Sequence, residues 1–502
     1  MEPEGLLSPA EEQFEKIRHR VGLFLGPALF LLVYFLPLLT NHPRAHKLAA
    51  ILALVLVFWM TEAIPLPVTA LLGTLLTVLF GIATPKEALA PFADPIIFLF
   101  IGSFMLAEAM TIHGLHRRFA LAALSLAGNR PWCILVVLGV ISATISMWMS
   151  NSATTAMMLP LAIGLIRALN EIHTPREGVR DRFSVGLLLM IAYGASIGGI
   201  GTPVGTPPNL IGIGLIENLA GIRIDFLQWM TLAIPIVVAL FVCLAFILSW
   251  FHPHTSSRLP NTQQYISKMR EKLGRLSRGE INVMIAFLVA VSLWILPGFF
   301  AAILGKSAPL TRLLAERLDE GMVAILAALL LFVLPIKRKG SSMTLTWQEA
   351  TKIDWGTLLL FGGGLSLGKL MFSSGLADAI GHGLVALTGV DSLWGMTALG
   401  ILLAILVSET TSNTASANAI IPVMIALAKE ADVSPLPPAL GACLGASFGF
   451  MLPVSTPPNA IVYGSGRVPI LAMVRAGIVF DIVGFGLIWG GLRILCPLLG
   501  WA

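Results

Sequence analysis

Charged residues are scarce in this chain of 502 residues: Asp, Glu, Lys and Arg together make up 12%, whereas hydrophobic residues make up 56%. A soluble domain carries about twice that share of charge, so the composition excludes a soluble globular protein. Apolar runs close to the roughly 20 residues that cross a bilayer recur along the whole length. The composition therefore predicts an integral membrane protein with many helical spans in the lipid bilayer.

The chain has few cysteines, and the motifs of intramembrane enzymes are missing from its sequence. The four cysteines, Cys133, Cys243, Cys443 and Cys496, lie in apolar stretches without CxxC or His spacing, which favours buried thiols over a metal site or disulfides. The sequence has no HExxH motif, no paired aspartates within spans and no Ser–Lys arrangement, so an intramembrane enzyme is only a remote alternative. The net charge of +5 is typical of basic cytoplasmic loops, and we expect no nucleic-acid partner.

Eleven apolar segments have the length of a span. They lie near residues 22–39, 48–63, 65–83, 95–113, 183–220, 229–250, 281–301, 320–335, 355–374, 436–463 and 469–495. Two further segments, 131–170 and 393–429, are interrupted at their middle by small polar residues and are predicted to be hairpins. Most Lys and Arg fall in alternate loops, which predicts a cytoplasmic N-terminus and an outside C-terminus. Short loops without an Asn-x-Ser/Thr sequon favour a bacterial inner membrane, and we expect no cleaved signal peptide.

The two halves of the chain repeat each other. Ser150-Asn151-Ser152 recurs 262 positions later as Ser412-Asn413-Thr414, and the Thr-Pro-Pro-Asn run at 206–209 recurs 250 positions later at 456–459. Five further residues recur at an interval of 261, namely Phe100, Gly102, Met110, Gly114 and Leu115. Several matches in the same order indicate duplication. On the predicted topology the first hairpin opens from the cytoplasm and the second from outside, so the repeats are inverted, which places a binding site at mid-membrane.

The predicted fold is therefore an all-α polytopic membrane protein with two inverted repeats, re-entrant hairpins, broken helices and about 11 transmembrane helices. We expect a cytoplasmic N-terminal segment at 1–21, followed by the first span and the first repeat at 22–250, with its broken helix at 183–220. A cytoplasmic linker at 251–280 then leads to the second repeat at 281–502, with its broken helix at 436–463.

The polar interruptions predict helix breaks. Ser, Thr and Asn cap the free amides at a helix start, and two consecutive prolines remove backbone donors and end the preceding helix. One Ser-Asn tip alone fits equally well a kink or a small-residue packing face, but two at symmetric positions favour a site. In lipid, each unsatisfied backbone group costs several kcal/mol, so such breaks are expected to face protein or a wet cavity.

These breaks suit anions and cations together. Helix N-termini carry partial positive charge and free amides, which suit carboxylate oxygens. Carbonyl and hydroxyl oxygens at the breaks suit Na⁺. The breaks contain no Arg or Lys, so a bound dianion needs another countercharge. A sodium ion about 5 Å away, at an effective dielectric constant near 20, contributes roughly 3 kcal/mol.

The two Ser-Asn-(Ser/Thr) tips, the paired Thr-Pro-Pro-Asn breaks and the run Trp-Met-Thr-Glu-Ala-Ile-Pro-Leu at 59–66 resemble the divalent anion/sodium symporter family. The resemblance covers residues from about 22 to 495. It implies a transporter, not an enzyme, that carries small divalent anions, with C4-dicarboxylates or citrate as the expected substrates, together with at least two sodium ions. It also implies that the hairpins and broken helices move as an elevator against a scaffold that forms a homodimer.

Carried over position by position, the resemblance implies two sets of site residues. The substrate contacts are Asn151, Ser152, Asn413, Thr414, Thr206, Pro207, Thr456 and Pro457. One sodium site comprises Ser146, Ser150, Asn151 and Gly205, and the other comprises Ser408, Ser412, Asn413 and Ser455. Ser152 stands where the family usually has Thr, which keeps the hydroxyl but loses a methyl group and leaves the substrate preference open.

Alternatives of the same fold are a sodium-independent dicarboxylate exchanger and a sulfate carrier. Five charged residues fall within spans, and each invites a functional role because a central charge costs about 3 kcal/mol to insert. They are Glu62, Glu108, Lys369, Glu409 and Asp481. We expect Glu409 to support the second tip, with proton binding as the alternative.

Overall fold

A computed structural model describes residues 9–39, 42–170, 182–253, 262–305, 307–337 and 342–502. These described residues leave out parts of the predicted N-terminal segment (1–8) and of the linker (254–261). They also leave out the loop at 171–181 that follows the first hairpin. Within them the chain is helical, and the one β-type contact is an isolated bridge between Pro335 and Met343.

The helices follow one another in two series. The first series is α1 (Pro9–Phe35), α2 (Pro43–Thr61), α3 (Leu66–Leu79), α4 (Pro85–Leu89), α5 (Pro95–His113), α6 (Leu115–Leu124), α7 (Pro131–Ser146), α8 (Asn151–Asn170), α9 (Arg182–Gly199), α10 (Pro207–Leu215) and α11 (Phe226–Phe251). The second is α12 (Thr262–Leu273), α13 (Arg278–Leu304), α14 (Pro309–Arg317), α15 (Glu320–Val333), α16 (Trp347–Ala350), α17 (Trp355–Ser373), α18 (Leu376–Thr388), α19 (Leu393–Thr410), α20 (Asn413–Glu430), α21 (Leu436–Gly445), α22 (Pro457–Tyr463) and α23 (Ile470–Leu498). A 3₁₀ turn (Ala90–Ala93) precedes α5, and a π-helical turn (Ile216–Ala220) follows α10.

The predicted spans are present as helices. Nine helical stretches of the described chain are long and apolar enough to cross a membrane, and one of them is the hairpin arm α19. The other eight fall in predicted spans, and the three remaining predicted spans are the shorter α3, the shorter α15 and the broken α21–α22. Helix α1 is continuous from Pro9 to Phe35 and so runs across residue 21, where the sequence analysis ended the N-terminal segment.

Matching caps confirm the duplication at the level of local structure. Thr84 and Thr346 each form a capping box with the Glu three residues later, at the starts of α4 and α16. Asp94 and Asp354 each cap the long helix that follows, α5 and α17. Such caps satisfy the free amides of a helix start, so the two repeats begin their helices by the same side-chain chemistry.

The polar interruptions form breaks at the predicted places. The first hairpin is α7 and α8, with its tip between Ser146 and Asn151, and the second is α19 and α20, with its tip after Thr410. The first broken helix is α9 and α10, and the second is α21 and α22. Helix α9 is almost entirely buried, which places the first break in the centre of the molecule.

Two helices that the sequence analysis did not predict, α6 and α18, follow the spans α5 and α17 in equivalent positions. Gly114 and Gly375 precede them with left-handed backbones (φ 70° and 81°), which turn the chain sharply at the end of each span. Both helices are short and amphipathic, so a search for long apolar runs passes over them.

A glycine sets the closest approach of α5 and α15. A Cβ atom on Gly102 would lie 2.6 Å from the carbonyl oxygen and the Cβ of Ala324 on the facing helix. Glycine is therefore needed here for backbone contact, as is common between membrane helices.

We expect Gly102→Ala to lower the thermal unfolding midpoint of the detergent-solubilised protein by several degrees, because overpacking costs about 1–3 kcal/mol. The control is Gly486→Ala in α23, where an added Cβ meets nothing within 4 Å. Thermal unfolding of the two variants in parallel checks this prediction, and equal midpoints would contradict it.

Candidate functional site

The hairpin tips and the helix breaks meet at one cavity with a volume of about 470 Å³. All eight residues predicted to contact substrate line it, namely Asn151, Ser152, Thr206, Pro207, Asn413, Thr414, Thr456 and Pro457. Of the predicted sodium ligands, Ser150, Gly205, Ser412 and Ser455 also line it, together with the two asparagines. Ser146 and Ser408 lie behind the wall and are fully buried. The volume falls within the range of small-molecule sites.

The first tip is held by hydrogen bonds among its own residues. Ser146, the last residue of α7, donates its hydroxyl to Asn151 Oδ1 at 2.6 Å. Ser150 Oγ accepts the backbone N–H of Ala153 at 3.2 Å and so caps the start of α8. The Asn151 amide is thereby fixed at the N-terminal end of α8, where the helix dipole favours an anion.

The second tip repeats this geometry. Ser408 Oγ lies 2.7 Å from Asn413 Oδ1 and 2.9 Å from the carbonyl oxygen of Ala446, and its single proton can go to either acceptor. Ser412 Oγ accepts the N–H of Ala415 at 3.2 Å, as Ser150 does in the first repeat. The serine–asparagine pair behind each tip is therefore a structural feature of both repeats.

The loops of the broken helices contribute carbonyl oxygens next to these tips. A Cβ on Gly205 would lie 2.9 Å from the carbonyl oxygen of Ser146 and would overlap that of Gly199. In the second repeat a Cβ on Gly449 would lie 3.2 Å from Ser455 Cβ and 3.4 Å from Asn413 Oδ1. Each tip thus lies against a glycine-lined loop, and hydroxyl, amide and carbonyl oxygens come together at this contact. We refer to these two oxygen clusters as the first and the second pocket.

Two asparagines that the sequence analysis gave no role hold these loops in place. Asn209 Nδ2 donates to the carbonyl oxygens of Gly199 (2.9 Å) and Thr202 (2.7 Å). Asn459 donates in the same way to the carbonyl oxygen of Gly449 at 2.9 Å. Both are fully buried. They are the last residues of the Thr-Pro-Pro-Asn runs. This position could have predicted their role, because an amide there can bond the backbone carbonyls that an unwound loop leaves without partners.

Glu409 distinguishes the second tip from the first. Its Oε1 accepts the backbone N–H groups of Phe450 (2.6 Å) and Met451 (3.0 Å), and its Oε2 accepts the hydroxyl of Ser455 at 2.7 Å. Glu409 thus ties the hairpin to the loop of the second broken helix, which is the supporting role expected for it. The position 262 residues earlier is Met147, so the first repeat has no counterpart to this carboxylate.

The remaining walls of the cavity come from α5 and α17. The C-terminal half of α5, from Ser103 to Thr111, and the N-terminal end of α17 at Thr357 line the same cavity. Equivalent helices of the two repeats therefore run in opposite directions. Glu108 and the exposed Lys352 also line the cavity, whereas Lys369, the repeat equivalent of Glu108, does not.

The run at 59–66 lies next to the second tip. Thr411 donates its hydroxyl to the carbonyl oxygen of Trp59 at 2.8 Å, and Arg18 donates to the carbonyl oxygen of Thr410 at 3.2 Å. Glu62 ends α2 in a left-handed conformation (φ 49°) with its carboxylate 3.6 Å from Arg18. This run therefore contacts the hairpin from outside and does not line the cavity.

The groups that line the cavity suit the binding of ions. No cluster of three or more His, Cys, Asp or Glu residues suitable for a metal ion occurs in the described part of the chain. The cavity instead presents helix N-termini and amides, which suit anions, and two clusters of oxygen atoms, which suit hard cations.

Comparison with known proteins agrees with this chemistry. A family model described as the sodium:sulfate symporter transmembrane region matches residues 18–501. The chain is 35% identical over 473 residues to the sodium-dependent dicarboxylate transporter SdcS of Staphylococcus saprophyticus, covering 93% of this chain and 89% of that protein. It is 36% identical over 472 residues to SdcS of Staphylococcus aureus strain USA300, covering 91% and 87%.

Two solved structures share the fold. The Alcanivorax borkumensis YdaH transporter superimposes with a TM-score of 0.55 at 14% identity, covering 86% of this chain and 89% of that one. MtrF of Neisseria gonorrhoeae superimposes with a TM-score of 0.54 at 11% identity, covering 83% and 84%.

The glycine-lined loop of the first pocket provides a test of cation binding. We expect Gly205→Ala to raise by roughly tenfold the sodium concentration at which the purified protein is half-saturated. The added methyl group displaces carbonyl oxygens at a cost of about 1–3 kcal/mol. The matched control is Gly383→Ala in α18, where an added Cβ meets nothing within 4 Å. Sodium titrations of the purified variants measure the difference, and an unchanged sodium dependence of Gly205→Ala would remove this loop from the site.

Proposed function

The chain belongs to the sodium:sulfate symporter family, and from this membership we propose that it is a secondary active transporter that carries a small dicarboxylate together with sodium ions. The family and the named relatives are transporters, not enzymes. The observation that carries the proposal is the meeting of two equivalent Ser–Asn tips and two broken helices at one cavity.

The dicarboxylate is proposed from charge and from the relatives. The cavity wall contains one basic side chain among the described residues, the exposed Lys352 at its edge, so most of the favourable charge for an anion comes from helix N-termini and from bound cations. Two relatives at 35% and 36% identity are named as sodium-dependent dicarboxylate transporters. A C4-dicarboxylate such as succinate, malate or fumarate, or alternatively citrate, is the substrate class that these features support.

The sodium sites are proposed at the two oxygen-lined pockets. The first combines Ser146, Ser150, Asn151 and Gly205. The second combines Ser408, Ser412, Asn413 and Ser455. At least two sodium ions would offset the charge of a dianion and would make its transfer through the low-dielectric interior feasible.

Alternating access is proposed to occur by an elevator motion. The moving part comprises the hairpins and broken helices with α11 and α23, and the scaffold comprises α1–α6 and α13–α18. The hydrogen bond from Thr411 of the second tip to Trp59 of the run at 59–66 lies at the boundary of these two parts. With the N-terminus in the cytoplasm of a bacterial inner membrane, the cavity edge at Thr111 and Lys352 faces the cytoplasm, so this conformation is inward-open.

Uptake into proteoliposomes tests the proposed function. We expect labelled succinate to accumulate under an inward sodium gradient, with a Hill coefficient for sodium above one. Labelled sulfate and labelled citrate are expected to accumulate less under the same gradient. Asn151→Ala and Asn413→Ala are each expected to abolish uptake, because each removes an amide shared by the anion and a cation pocket. Asn282→Ala is the control, since Asn282 donates to Pro335 and Thr344 away from the cavity.

Two outcomes would contradict these expectations. If choline replaces sodium without loss of uptake, and uptake requires an anion on the opposite side, the protein is the sodium-independent exchanger of the same fold. If either tip variant folds and transports normally, that tip does not bind substrate. Size-exclusion chromatography confirms that each variant is folded.

We also propose a homodimer assembled through the scaffold. Large apolar side chains on the scaffold are exposed, among them Leu288 at 60% and Val333 at 70%, so this surface faces lipid or a second copy of the chain. We expect native mass spectrometry in mild detergent to show a dimer. A monomer at every protein concentration would contradict this assembly.

A further inference from the structure

A second cavity lies near the start of α5. It has a volume of about 260 Å³, and its wall includes α5 from Asp94 to Leu99. The same helix lines the binding cavity from Ser103 to Thr111. The two cavities are therefore about one helical turn apart along α5. On the proposed topology the second cavity lies towards the outside, and we refer to it as the outer cavity.

The outer cavity lies on the boundary between the moving part and the scaffold. The moving part contributes the segment between α10 and α11, and the scaffold contributes the starts of α5 and α15. The polar side chains of the wall are Glu217, Asn218 and Arg223 on the moving part and Asp94, Asp319 and Glu320 on the scaffold. Polar groups of the two parts therefore face each other across this cavity.

Arg223 joins the two parts by ion pairs. Its Nη2 lies 3.2 Å from Asp319 Oδ2 and 3.0 Å from Glu320 Oε2. Beside it, Asn218 Nδ2 donates to Asp94 Oδ2 at 3.1 Å. Through their other oxygen, Asp94 and Asp319 cap α5 and α15, so these two carboxylates are fixed to the ends of scaffold helices.

The attraction across the outer cavity depends on Arg223. It is the one basic side chain among the described residues of the wall. The other ionisable side chain that the moving part contributes is Glu217, which faces the three carboxylates of the scaffold. Without Arg223 the charges of the two parts would repel each other, because like charges would remain on both sides.

Further contacts join the two parts at the same end of the molecule. Helix α17 runs in the opposite direction to α5, so its last turn and α18 lie towards the outside. His382 Nε2 on α18 lies 2.9 Å from Glu430 Oε1 on α20, which is an ion pair when the histidine is protonated. Lys429 Nζ on α20 lies 4.8 Å from the centre of the Phe372 ring on α17. The outer end of the boundary is thus closed at two places.

We propose that the ion pairs of Arg223 with Asp319 and Glu320 form an outer latch that stabilises the inward-open conformation. The proposal rests on the transport function, the topology and the elevator motion proposed above. Movement of one part along the other separates these side chains, so the latch has to open before the binding site reaches the outside. The Arg223 side chain is 49% exposed, and its ion pairs are therefore weak enough to break in every cycle.

Uptake into proteoliposomes tests the outer latch. The apparent affinity for external substrate is proportional to the fraction of outward-open protein, and this fraction rises when the inward-open conformation is destabilised. We expect Arg223→Gln to lower the external succinate concentration for half-maximal uptake about threefold, the order of effect for solvent-exposed ion pairs. Arg312→Gln, at an exposed position on α14, is the control and is expected to leave this concentration unchanged.

Two further variants separate a latch from a general structural role. Glu320→Gln is expected to lower the same concentration, and its combination with Arg223→Gln is expected to do less than the sum of the two changes, because both remove one interaction. Arg223→Lys keeps the positive charge and is expected to stay close to the unmutated protein.

An unchanged succinate concentration in Arg223→Gln would overturn the proposal, and so would fully additive effects in the double variant. If Arg223→Gln does not fold, Glu320→Gln compared with Arg312→Gln decides. Sodium-dependent uptake whose half-saturation does not respond to these variants leaves the proposed function intact and rejects the latch. Absence of sodium-dependent uptake in the unmutated protein rejects the proposed function itself, and the latch with it.

Discussion

Every break in a helix at the centre of a membrane protein exposes backbone groups that lipid cannot satisfy, and the structure depends on how this protein satisfies them. Serine hydroxyls cap the amides at the starts of α8 and α20. Asn209 and Asn459 bond the carbonyl oxygens of the unwound loops. The carbonyl and amide oxygens that remain face the pockets at the tips. The same requirement that makes broken helices rare in lipid therefore concentrates oxygen atoms at the two proposed cation sites.

Local chemistry explains how much of the site was predictable from the sequence. The tips at Asn151 and Asn413 were predicted because Ser, Asn and Thr cap helix starts and because the same interruption occurs at symmetric positions of both repeats. The Thr-Pro-Pro-Asn breaks were predicted because consecutive prolines end a helix whatever surrounds them. The contacts of Glu409 with residues some 41 positions later, by contrast, depend on how α19 packs beside the second broken helix. A spacing in the sequence carries no such information, and the amphipathic α6 and α18 were missed for a related reason: they lack the apolar length of a span.

In the site proposed here, the same few side chains serve both sodium coupling and anion binding. Asn151 Oδ1 accepts the hydroxyl of Ser146 behind the tip, while the residue itself lines the cavity. Asn413 and Ser408 do the same in the second repeat. An ion in either pocket would therefore fix an amide that the substrate contacts, and its charge would lower the cost of placing a dianion nearby. Because almost no fixed cation lines the cavity, the favourable field for the anion depends on sodium being present.

Duplication accounts for the matched helix breaks and caps at the two tips but not for their charge. Backbone breaks, caps and glycine contacts are matched between the repeats, since each of them is required for the helix to unwind at all. No such requirement applies to the position that Glu409 occupies in one repeat and Met147 in the other. A carboxylate there changes the interaction energy of a unit charge at the tip by several kcal/mol, at a distance of about 4 Å and an effective dielectric constant near 20. Two tips with the same caps therefore differ in electrostatics through Glu409, and a comparison of motifs alone detects the likeness but not the difference.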